Sequence, residues 1–158
     1  MKRMYIAVMV VAGGLWCFSA SLAHEDHPKH LPDGKDPITL RAYLMENVGD
    51  NAKELNDKLK AGKFAAVKVN AQAIALHAPR IPELFPQGST SATSKAKDEI
   101  WQKWDEFVKA AQTLRNEADQ LAITTADGKA DAVGAQAKKV SGACKGCHDS
   151  FRKPEKKE

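Results

Sequence analysis

Cysteine is scarce, with three in 158 residues, too few for a disulfide scaffold. An excess of one charge is also missing. The chain carries 24 basic and 20 acidic residues, and 22 basic residues remain once Lys2 and Arg3 are assigned to a targeting segment. That balance argues against a nucleic-acid binder working through a basic face. No segment shows sustained period-two alternation of valine, isoleucine or threonine, so a sheet is not expected. Proline is absent from long stretches, all seven lying at 28, 32, 37, 79, 82, 86 and 154. What is present is 43% hydrophobic and 28% charged residues. This is the composition of one globular domain, neither disordered nor collagen-like.

The first residues read as an export signal. Lys2-Arg3 forms a basic start, Met4 to Phe18 is almost entirely apolar, and Ser21-Leu22-Ala23 places small residues at a cleavage site. Residues 1–23 are therefore expected to be removed, leaving His24 first and no membrane association. An uncleaved anchor over Met4 to Leu22 is the competing reading. Cys17 follows Trp16, where lipid attachment needs a small residue, so the mature chain keeps only Cys144 and Cys147, in an oxidising compartment. Residues 24–35 read as a flexible, solvated leader, although His24, His27 and His30 could bind a divalent metal. Residues 154–158 read as a charged tail.

Proline cannot occupy helix interiors, so the proline-free intervals are helix candidates. The first opens at Asp36-Pro37, with aspartate as cap and proline in the first turn. Its apolar stripe is Leu44, Val48, Ala52, Leu55 and Leu59, and Ala61-Gly62 stops it. The second carries Phe64, Val67, Ala71, Ile74 and Ala78, and ends at Pro79 and Pro82. Residues 79–93 read as a connecting loop. The third is expected to open at Ser94, with Ile100, Trp104, Phe107, Ala111, Leu114, Ala118 and Leu121 as its seam. Asp127-Gly128 interrupts it. The fourth runs from about Lys129 to Arg152, with Val133, Ala137, Val140, Cys144, Cys147, His148 and Phe151 on one side. The expected fold class is all-α, an antiparallel four-helix bundle over residues 36–153.

Cys144-Lys145-Gly146-Cys147-His148 is the strongest chemical signal. C-x-x-C-H is the attachment pattern of haem c: two thiols one turn apart each add to a vinyl group, and the next histidine ligates the iron. A thioredoxin-like pair would follow a strand, and none is expected here. A zinc site needs about four ligands, and no second cluster exists. A structural disulfide would not require His148. One motif implies one covalent haem.

The motif's place near the C-terminus of an exported helical chain resembles the cytochrome c′ family, the class II c-type cytochromes. Residues 144–152, C-K-G-C-H-D-S-F-R, are similar to the family's ending. Leu84-Phe85-Pro86, Ile100-Trp101 and Arg41 are further similar pieces. The resemblance implies haem held within a left-handed antiparallel bundle. It also aligns Arg41 with an arginine one turn before the residue facing the distal side of the iron, which here is Met45. Five-coordinate members carry a non-ligating residue at that position, whereas the low-spin c-556 type carries methionine, which can bind iron.

Taken together, the expected site has Cys144 and Cys147 as covalent haem anchors, with His148 as proximal and Met45 as distal iron ligand. Arg41 is expected on a haem propionate and Arg152 in the haem's vicinity. The expected function is a periplasmic electron carrier and not an enzyme, since six ligands leave no open position for substrate. A gas-binding protein with displaceable Met45 is the alternative. Lysines 138, 139, 145, 153, 156 and 157 could steer an acidic redox partner protein. The resemblance implies a monomer or a homodimer.

Overall fold

The computed structural model describes residues 36–154. The expectations for the signal, the leader with its three histidines, and residues 155–158 lie outside the described residues. Helix α1 spans Pro37–Lys60. Asp36 caps it, its carboxylate accepting from the Ile38 and Thr39 amides at 3.1 Å each and from the Thr39 hydroxyl at 2.6 Å. The far end closes as a Schellman motif. Gly62 takes the left-handed φ of +69°, its amide donates to the Leu59 carbonyl, and the Lys63 amide donates to that of Lys58.

The second helix is shorter than its pattern suggested. Phe64–Val67 is a 3-10 turn leading into α2, Lys68–His77, and Ala78–Arg80 is another 3-10 turn. Pro79 and Pro82 disfavour further α-helix there. The third helix departs further from expectation. Residues from Ser94 are not helical. A single helical turn, α3, spans Glu99–Gln102, Lys103 breaks it with φ −123° and ψ 47°, and α4 then runs Trp104–Thr124. Neither proline nor glycine marks this break. The Trp101 indole N–H just before it is tied to the Phe85 and Pro86 carbonyls at 3.1 and 3.0 Å. A tertiary contact thus overrides a locally helical sequence. Gly128, at φ +63°, ends the turn after α4, and α5 spans Ala130–Phe151.

The long helices α1, α2, α4 and α5 make the four-helix bundle, and no strand occurs among the described residues. Packing runs α1 on α2, α2 on α4 and α4 on α5. The expected seam of α4 is buried from Phe107 through Leu121, but Trp104 stays 37% exposed and leans on Phe107. Ile74 and Leu121 are wholly buried, each worth on the order of 2 kcal/mol in apolar burial. Polar residues also cross-link the helices. The Asn70 amide of α2 donates to Asn51 and Glu54 of α1 and its oxygen accepts from Lys58. The Gln136 amide of α5 donates to the Glu117 carboxylate of α4 at 2.6 Å.

Candidate haem site

Helical geometry puts Cys144, Cys147 and His148 within an arc of about 100° on α5, together with Val140 and Phe151. The stripe is buried at Val140 and Phe151 but only half-buried at Cys144 and Cys147, and it opens to the surface at His148. The face is thus apolar at both ends and uncovered where the motif sits. The two thiols are free, and burial pushes both up, Cys147 to about 11 with Cys144 adding to the effect. They are neutral thiols, not a poised redox pair. Partial burial of His148, followed by the Arg152 guanidinium, holds its imidazole below the ordinary histidine value, with Asp149 opposing. Neutral imidazole is the metal-binding form. Lys145 pairs with Asp149 one turn on.

Helix α1 repeats this pattern. Arg41, Leu44, Met45 and Val48 share a stripe in which Met45 is only half-buried while the other three are buried. The α1–α5 pair is not among the principal packing pairs. Among the described residues no group of three or more His, Cys, Asp or Glu could hold a metal ion. A zinc cluster therefore has no support there. Two neutral thiols one turn apart, an adjacent neutral imidazole and apolar flanks fit a covalently held haem.

Arg41 is 5% exposed. Its guanidinium donates to the Ser89 hydroxyl at 2.9 Å, the Ser89 carbonyl at 2.7 Å and the Ser94 hydroxyl at 2.6 Å, and lies over the Phe85 ring. Burial lowers its pKa, and the Asp36 carboxylate partly restores it. Sequence reading missed these serines, since the Ser/Thr run was legible only as a loop. It also missed the segment 94–97. Ala96 forms an isolated antiparallel bridge with Arg152, so the C-terminal end of the haem-motif helix and the loop meet through backbone. Phe85, Phe107 and Phe151 stack edge-on at 4.9 and 5.3 Å behind them. Trp101 and Trp104 line an open cleft of about 280 Å³ with Pro82, Phe85 and Pro86.

The family model described as Cytochrome C′ matches residues 36–152, nearly all of the described chain. The chain belongs to the cytochrome c′ family. It is 33% identical over 154 residues to a cytochrome c′ of Rhodospirillum rubrum, covering 96% of this chain and 99% of that one. It is 32% identical over 119 residues to a cytochrome c-556 of Agrobacterium fabrum, covering 73% of this chain and 80% of that one. The solved structure of a cytochrome c′ from Rhodopseudomonas palustris superposes with a TM-score of 0.71 at 28% identity, covering 78% of this chain and all of that one. Membership makes this a c-type cytochrome whose cofactor is haem c. No helix among the described residues is long and apolar enough to cross a membrane.

Proposed function

We propose that this cytochrome c′ family member is an exported single-haem electron carrier of the low-spin, c-556 type. Cys144 and Cys147 hold the haem covalently, His148 is the proximal iron ligand and Met45 the distal one. The observation that carries the reading is the pair of half-open stripes. One presents two thiols and an imidazole, and the other presents a thioether one turn after a buried arginine. When bound, the haem supplies one-electron exchange at iron. The residues of this chain hold and tune it. Thioether ligation opposite imidazole raises the potential and suits electron transfer. Arg41 spends three of its five N–H groups on Ser89 and Ser94, and its planar fork suits a propionate as a further acceptor. Arg152, half-buried one turn after His148, adds positive charge near the iron.

With both axial positions taken, no site remains for a substrate, which makes the protein a carrier and not an enzyme. Residues 1–23 direct it to the periplasm and are cleaved. There, exposed Lys138 and Lys139 on α5 favour an acidic redox partner. A second reading rests on the partial burial of Met45: a thioether held loosely can yield to nitric oxide or carbon monoxide. Visible spectra of the oxidised and reduced protein, with and without carbon monoxide, test the assignment. Sharp low-spin bands, a far-red sulfur-to-iron band and indifference to carbon monoxide are expected. Broad high-spin bands that shift with carbon monoxide would overturn it in favour of gas binding.

A further inference from the structure

The helices that carry the proposed ligands are not principal packing partners, so what fixes α1 against α5 is a question of its own. The segment 94–97 spans them. Ser94, 5% exposed, accepts from Arg41 Nη2 of α1 at 2.6 Å and from its own strap's Ala96 amide at 3.2 Å. The strap then grips the end of α5. Lys97 N–H donates to the Phe151 carbonyl at 3.0 Å, and its ammonium donates to the carbonyls of Asp149 at 2.9 Å and Ser150 at 3.2 Å. In return the Lys153 amide donates to the Lys95 carbonyl at 2.8 Å, and the Lys153 ammonium to that of Ser94 at 3.2 Å. These bonds satisfy the orphan carbonyls at a helix end and leave the strap little freedom.

We propose that Ser94 is a positioning residue for the haem iron, locking the Arg41–Met45 turn of α1 to the residues that follow His148 and so holding the thioether within reach of the metal. The inference rests on the reading of Met45 as distal ligand. A buried guanidinium cannot lose an acceptor without cost, so the Arg41 turn stays where Ser94 holds it. Ser89 supplies Arg41 with acceptors as well, but from outside the 94–97 strap that grips α5. The two serines therefore separate satisfying Arg41 from linking the helices.

The test compares Ser94→Ala with Ser89→Ala in the mature haem-loaded protein. The readouts are the far-red sulfur-to-iron band of the oxidised form and the carbon monoxide association rate of the reduced form. Ser94→Ala is expected to weaken the band and raise the rate about tenfold, the scale of one charge-assisted hydrogen bond, while Ser89→Ala leaves both close to the parent. Equal shifts in both variants, or no shift in Ser94→Ala, would overturn the inference while a band in the parent keeps Met45 ligation standing. A parent lacking the band removes the ligation reading and this inference with it. If Ser94→Ala yields no haem-loaded protein, the double change Lys97→Met with Lys153→Met decides by removing the three ammonium bonds that tighten the strap at its other end. A weakened band supports the link, and an unchanged one overturns it.

Discussion

The Arg41 guanidinium lies 4.5 Å from the centroid of the Phe85 ring. Stacked on that face and bonded at its edge to Ser89 and Ser94, it is a buried cation whose hydrogen bonds go to neutral serine oxygens, with the Asp36 charge supporting it. Lysine offers neither the planar face nor the fork. Arg41→Lys should lower unfolding stability by about 2 kcal/mol, read as a lower urea midpoint at unchanged slope. An unchanged midpoint would show that the stack and fork contribute nothing.

Met45→Leu keeps the volume of the α1 stripe and removes the sulfur. The expected result is loss of the far-red band, a high-spin spectrum and new carbon monoxide binding, with the thermal melt little altered. A spectrum identical to the parent would show that Met45 is packing alone.

Leu121 on α4 has no exposed surface, and protein interiors are close-packed. Leu121→Ala should cost about 3 kcal/mol, measured by denaturant unfolding. A cost below about 1 kcal/mol would mean that the bundle collapses into the space.

His77 ends α2 with its Nδ1 buried and lacking a hydrogen-bond partner among the described residues. Burial first, and Arg80 second, lower its pKa from the ordinary 6.5. The unfolded chain therefore binds a proton more readily than the folded one. The stability contribution is full above pH 6.5 and declines as the pH falls through that value toward the lower folded-state pKa. Replacing His77 with Gln should flatten the fall in stability between neutral and mildly acidic pH. Parallel curves for parent and variant would show that this proton plays no part.

Lys138 and Lys139 differ from the other basic residues near the site. Lys145 is paired with Asp149, and Lys153 is bound to the Ser94 carbonyl. Changing both Lys138 and Lys139 to Gln should slow electron exchange with an acidic redox protein severalfold at low salt and leave it unchanged at high salt. A salt-independent effect, or none, would remove electrostatic steering from the account.

Much of the bundle is legible in the sequence. Asp36-Pro37 announced α1 because a cap and a first-turn proline act within one turn. Phe107, Ala111, Leu114, Ala118 and Leu121 declared the buried face of α4 because their spacing matches the helical period. The break at Lys103 was not legible, since no residue there disfavours helix and the Trp101 indole is anchored by carbonyls 15 and 16 residues away. Trp104 illustrates the same gap, sitting on the seam yet remaining substantially exposed.

For the site, sequence by itself determined the thiols, the imidazole and their shared stripe, because a five-residue motif on one helix obeys local geometry. It also placed Arg41 and Met45 one turn apart on α1. Only the tertiary structure decided what surrounds them: the serines that hold Arg41, and the strap at 94–97 that joins its helix to the end of α5. Those contacts link residues some 50 positions apart. Their partners are set by how the helices pack, and no local period or spacing encodes that.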